Sequence, residues 1–201
     1  ASSALASGGH AASGAFWVEN YSGRWATTTF YTSYHSFVDQ YNRSDESLNA
    51  RINSLVWKPK LPIASYNAFP YTQNLYNFQH KLGTNKTNRF ILLKQTPFIN
   101  EEVRKMGVKT IEKAALGTKE YPDFLALSFY AGNFDDALDK NYSIEIQDTY
   151  QRLDNDIAQI IDAVDRAVGL DNALIFVVST GYFDEQEVYP TDARLPGGDF
   201  K

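Results

Sequence analysis

The side chains in this sequence that could do chemistry fall in three places. His10 follows Gly8 and Gly9 near the start of the chain, where a loop would leave its imidazole available to a ligand. His35 and His80 stand far from it and from each other, and no pair among the three histidines has the spacing of metal ligands. Asp135, Asp136 and Asp139 form a small acidic cluster, and oxygen ligands of that kind suit Mg²⁺ or Ca²⁺. The glycine and closing glutamate of an EF-hand loop are absent, so a solvated acidic loop accounts for the same residues without a metal. Ser179, Thr180 and Gly181 place two hydroxyls directly after an apolar run, but no Gly-x-Ser-x-Gly elbow surrounds them and no neighbouring histidine supplies a base. The Gly8-Gly9 and Gly197-Gly198 pairs lack the lysine and hydroxyl of a phosphate loop.

The elements that must position these groups lie between Pro122 and Tyr182. Asp123 to Phe129 reads as a strand, and Ala173 to Val178 is apolar at every position, as in a parallel strand covered on both faces. Between them Ile146, Tyr150, Leu153, Ile157, Ile160, Ile161, Val164 and Val168 step by threes and fours along one helical stripe. Ser143 is placed to cap that helix, Glu145 and Asp148 charge its first turns, and Gly169 can close it. The pairs Asp148 with Arg152 and Asp162 with Arg166 read as ordinary i,i+4 surface pairs. The unit is βαβ, and open α/β sheets bind ligands beyond the carboxyl ends of their strands. The ligand-facing loops are therefore Tyr130 to Ala137, with Asn133, Asp135, Asp136 and Ala137, and Ser179 to Phe183, with Thr180 and Gly181.

Upstream, Ala12 to Val18 and Trp25 to Tyr31 read as a hairpin whose turn holds Asn20 and Gly23. Ser33 to Asn42 and Ser44 to Val56 read as helices, Pro62 to Asn88 as a long ordered loop, Arg89 to Lys94 as a short apolar run, and Asn100 as the cap of a helix from Glu101 to Leu116 stopped by Gly117. The aromatic residues before residue 100 would either stack sugars or nucleobases or, more simply, pack a loop-rich region.

Composition narrows the function classes. A net charge of -5 without any basic block argues against a nucleic-acid surface. With no cysteine, disulfides and thiolate metal sites are excluded, and no apolar run is long enough to span a membrane. Residues 1–15 lack a basic and a continuous apolar segment, so they do not read as a signal peptide.

The stretches Pro122 to Phe129 and Ser143 to Ile157, joined upstream by Gly9 to Trp17 and Leu93 to Phe98, resemble the alkaline phosphatase superfamily. The similarity is to the single-chain bacterial alkaline phosphatases related to type I phosphodiesterases and nucleotide pyrophosphatases. That resemblance implies a three-layer α/β core with a largely parallel sheet, of which this chain would be a middle portion or a shortened form. Residues 1–98 would be an aromatic-rich, cap-like part and residues 99–201 the βαβ core part. Relatives hydrolyse phosphate esters with two zinc ions and a threonine or serine nucleophile. Their ligand aspartate and histidine after the first strand correspond to Asn133 and Ala137, and those after the second to Thr180 and Gly181. An amide, a methyl group, a hydroxyl and a glycine cannot replace carboxylates and imidazoles on zinc.

The resemblance thus implies no bound zinc, no catalytic residue in this chain, an exported (periplasmic or secreted) location, and a binding, scaffolding or regulatory role, with a protein partner or a second copy as its target. Two other readings stand beside it. One is a metal-dependent phosphoric ester hydrolase whose remaining catalytic residues lie outside this chain, or which works through Asp135, Asp136 and His10. The other is a glycan- or peptide-binding module using Trp25 or Trp57.

Overall fold

A computed structural model describes residues 9, 12–31, 35–67, 75–132 and 143–179. A two-residue ladder opens it: β1 (Trp17–Val18) pairs antiparallel with β2 (Trp25–Ala26) across a turn in which Gly23 takes φ 66°. Side chains are excluded at Gly23 for a second reason, since a Cβ there would lie 2.1 Å from a ring carbon of Phe90. The hairpin is shorter than its sequence pattern predicts because a turn follows β2, closed by the Tyr31 N–H on the Thr28 carbonyl at 3.3 Å.

Helix α1 (Ser36–Arg43) ends at Ser44, whose hydroxyl donates to the Tyr41 carbonyl. Ser44 therefore stops one helix and does not start the next. Ser47 begins α2 (Leu48–Arg51), its hydroxyl accepting the Ala50 N–H, and a 3₁₀ turn (Ile52–Ser54) follows. The chain then enters β3 (Val56–Trp57), which pairs with β4 (His80–Lys81), so the helix expected to reach Val56 is cut short and the long loop carries a strand of its own. The apolar run before Lys94 is helical, α3 (Arg89–Leu93). Helix α4 (Pro97–Lys113) starts earlier than Asn100, at a proline whose fixed φ and missing N–H suit the first helical position. Helix α5 (Ser143–Val168) matches the predicted periodicity, and Gly169 closes it at φ 78°.

Two apolar clusters hold these elements. One joins β1, β2 and α1–α4 through Val18, Trp25, Val38, Leu48, Phe90 and Leu93 among others; the second joins Trp57, Tyr66 and Phe78 to Ile144 at the start of α5. Trp25 is 7% exposed and Trp57 1%. This corrects the stacking-surface reading: both indoles are core, and a glycan cannot reach them.

The sheet also departs from expectation. Among the described residues the ladders are β1–β2 and β3–β4 alone, and the parallel pairing of 123–129 with 173–178 does not form. Residues 123–129 are nonetheless extended, with Asp123, Leu125, Leu127 and Phe129 turned inward and Phe124, Ala126 and Ser128 exposed, the period-2 signature of a strand with one covered face. Leu127 lies on α4, where a Cβ on Gly107 would come within 3.0 Å of it. A ladder needs neighbouring strands, and among the described residues none pairs with this segment.

Candidate functional site

The loop residues singled out for a site, His10, Asn133, Asp135, Asp136, Ala137, Thr180 and Gly181, lie outside the described residues. What the structure describes is the frame that holds the stems of their loops. Asn100, fully buried on α4, grips the first loop at its root: its side-chain amide donates to the Tyr130 carbonyl at 2.8 Å and its oxygen accepts the Tyr130 N–H at 2.7 Å. An amide side chain here satisfies both polar groups of one backbone residue, as a neighbouring strand would. The Tyr150 hydroxyl donates to the Ala131 carbonyl at 3.2 Å from α5. Next to His10, the Gly9 carbonyl accepts the Tyr31 hydroxyl at 2.8 Å.

The same two-handed grip recurs elsewhere. Asn42 holds both polar groups of Trp25, each at 2.9 Å, and Gln147 holds those of Asn67. Sequence reasoning assigned Asn100 to a helix cap; its actual partner is 30 residues away.

The burial of Asp148, Glu145 and Glu102 was not read from the sequence. Asp148 is 0% exposed and accepts four bonds: from Trp57 Nε1 at 2.6 Å, the Lys60 N–H at 2.7 Å, the Tyr66 hydroxyl at 2.8 Å and Arg152 Nε at 2.7 Å. The i,i+4 pair with Arg152 exists, but it is a corner of a buried network and not a surface pair. Burial and the Asp148 carboxylate beside it raise the pKa of Tyr66. One turn earlier, Glu145 accepts the Tyr76 hydroxyl and faces His80 Nε2 at 2.9 Å. Burial, then that carboxylate, pushes the Tyr76 phenol well above its usual range. On α4, Glu102 takes the Tyr41 hydroxyl at 2.6 Å and an ion pair with Arg51. Its carboxyl is raised above the ordinary value by burial, against the opposing pull of Tyr41, Lys105 and Arg51. At Asp148 all of the donors named satisfy the charge, which fits it to hold the β3–β4 segment on α5 and leaves no lone pair directed at a substrate.

The described histidines are committed in the same way. His80 stacks on Phe78 with ring centroids 5.1 Å apart, and His35 stacks on Phe37 at 5.4 Å. Among the described residues no group of three or more histidines and carboxylates is arranged to hold a metal ion, and no helix is long and apolar enough to cross a membrane.

Against this geometry the relatives can be placed. Residues 1–192 match the family of type I phosphodiesterases and nucleotide pyrophosphatases. The alkaline phosphatase PafA of Elizabethkingia meningoseptica is 28% identical over 192 residues, which are 84% of this chain and 33% of PafA. The alkaline phosphatase PhoV of Synechococcus elongatus is 26% identical over 187 residues, 88% of this chain and 34% of PhoV. The crystal structure of wild-type PafA superposes with a TM-score of 0.62 at 25% identity, covering 80% of this chain and 33% of that one. The chain thus spans about a third of the length of these relatives, and its architecture is consistent with an alkaline-phosphatase-like α/β fold, with few strands among the described residues. On the match across residues 1–192, the chain belongs to the type I phosphodiesterase and nucleotide pyrophosphatase family.

Proposed function

We propose that this chain is a catalytically degenerate member of its phosphoric ester hydrolase family and serves as a binding or scaffolding protein. The observation that carries this reading is the donor set: Asn133, Ala137, Thr180 and Gly181 stand where the family resemblance places zinc ligands, and together they offer no charge and no imidazole. A two-zinc site does not fit such residues. The placement of His80 supports the reading, because its Nε2 meets Glu145 at 2.9 Å and its ring stacks on Phe78, which commits that imidazole to the fold. An exported location, periplasmic or secreted, belongs to the same proposal. The test is to equilibrate the chain with excess zinc, dialyse, and measure bound metal together with hydrolysis of an aryl phosphate. Well under one zinc per chain and no turnover are expected; two tightly held zinc ions would overturn the reading.

The one-third coverage of PafA and PhoV favours a second reading, a hydrolase whose remaining catalytic residues lie outside these 201 positions. Under it, Asp135, Asp136 and His10 would act with Mg²⁺ or Mn²⁺ in a longer polypeptide. Phosphatase activity of that polypeptide lost in Asp136→Ala would support this alternative, and activity indifferent to Asp136 would remove it.

A further inference from the structure

A cavity of about 280 Å³ opens between α1 and the carboxyl half of α4. Phe37 and Tyr41, both buried, give it an aromatic floor. The Tyr41 hydroxyl is committed to Glu102 at 2.6 Å, which leaves the ring as what Tyr41 offers to a ligand. Lys109 and Lys113, one turn apart on α4, also line the cavity, together with Glu46 and Gln40. Lys109 Nζ lies 5.6 Å from the centre of the Tyr41 ring, and its ion-pair partner Glu46 is 3.9 Å away, well beyond a direct N–H···O⁻ bond of about 2.7–2.9 Å. Lys105, a turn earlier, shows what a close pair looks like here, since Glu101 holds it at 2.6 Å. Among the described residues Lys113 makes no ion pair at all. It stands in the last turn of α4, where the helix dipole favours a cation, but that interaction uses none of its three N–H donors. We propose that this cavity binds a small aromatic carboxylate.

Charge, size and floor choose this ligand. Two lysines against one glutamate leave the cavity with a single positive charge in excess, which calls for an anion. The two ammonium groups rise from Cβ atoms about 5–6 Å apart, so a carboxylate can give one oxygen to each, while a phosphate would turn its third oxygen toward Glu46. The Gln40 amide supplies a further donor. At about 280 Å³ the cavity is at the small end of ligand sites, which run to about 300–1,000 Å³, so a single ring is the body it admits. A flat ring can lie offset or edge-on against Phe37 and Tyr41, as aromatic pairs prefer. The walls belong to α1, α4 and the turn that carries Glu46. Asn100, which grips the root of the first loop, is about 14–20 Å away along the axis of α4. The proposal therefore uses no residue of the pseudoenzyme reading and holds whether or not zinc is bound.

The site is tested by titrating the isotopically labelled 201-residue chain with sodium benzoate at constant ionic strength and following amide shifts by NMR. Benzoate should bind saturably with a Kd on the order of 1 mM, shifting amides of α1 and the carboxyl half of α4. Benzamide, which keeps the ring without the charge, and acetate, which keeps the charge without the ring, should each bind at least about tenfold more weakly. Lys109→Met and Lys113→Met should each weaken benzoate at least about fivefold, and Glu46→Gln, which removes the competing carboxylate, should tighten it about threefold, with the shifts of α5 unchanged in all three. Acetate or inorganic phosphate matching benzoate would reduce the site to bare charge attraction and overturn the proposal. So would benzamide matching benzoate, phenyl phosphate exceeding it at the same amides, unchanged affinity in Lys113→Met, or no saturable shift. Zinc content and hydrolysis play no part in these readouts, so their outcome is separate from that of the pseudoenzyme test.

Discussion

Replacing Asp148 by alanine should cost this protein more than any surface change on α5. The carboxylate is fully buried and accepts bonds from Trp57, Lys60, Tyr66 and Arg152. Of those donors, Trp57 and Tyr66 are 1% and 3% exposed and have no route to water once the acceptor is gone. A buried donor left without a partner costs about 1–3 kcal/mol, so two such donors set a loss of about 2–6 kcal/mol. Arg152, with its side chain 26% exposed, turns to solvent and adds little. Against a typical domain stability of about 5–15 kcal/mol that is a large fraction. Urea unfolding followed by tryptophan fluorescence reads the change directly, because Trp57 sits in the network. The midpoint should fall with the m-value unchanged, Asp148→Asn should fall between, and exposed Asp162→Ala should stay within about 0.5 kcal/mol of the parent. A loss below about 1 kcal/mol for Asp148→Ala would refute the claim that this carboxylate fastens the β3–β4 segment to α5.

The remaining predictions concern α4. Asn100→Ala should release the root of the first loop, seen as faster exchange of the Tyr130 amide with α4 protection retained; Asn100→Asp, which keeps the acceptor but sets an oxygen against the Tyr130 carbonyl, should behave similarly, and unchanged exchange in both would remove Asn100 from this role. Glu102 supplies a pH test. Burial raises its pKa above the ordinary value of 4.5, so the native state holds the proton to higher pH than the unfolded chain does. Its contribution is therefore complete below about pH 4.5 and is lost as the pH climbs through the raised value. The stability difference between the parent and Glu102→Gln should shift against the parent across that window, and a difference that is flat with pH would refute the assignment.

Much of the local structure was legible because its causes are local. The stripe from Ile146 to Val168 predicted α5, and Gly169 ends it because only a residue tolerant of positive φ fits there. Asn100 misled for a related reason. It sits where an N-cap is wanted, but Pro97 had already fixed the first turn three residues earlier, which freed the amide for Tyr130. Asp148 was unreadable as a buried group because its pattern with Arg152 is that of a solvated pair, while the donors that bury it are 82 to 91 residues away. No periodicity reports a contact at that distance. The candidate site was legible only as a list of positions, since its residues fall outside those described.

The burial of α5 runs contrary to its composition, and the partners of its buried acids explain why. Its most buried positions are Ser143, Ile144, Glu145, Asp148, Thr149, Asp156 and Ala163, while the apolar stripe is only partly covered and Tyr150 is 45% exposed. A buried polar face is the informative case, since such groups enter a core only when fully partnered. The acids Glu145 and Asp148 are partnered by tyrosine, tryptophan and histidine side chains from the β3–β4 segment, and Asp156 by Arg104 from α4 at 2.8 Å. The apolar stripe is the face that hydrophobic burial would reward most, yet it is only partly covered by the described residues, whereas the polar face is buried because its acids find donors there.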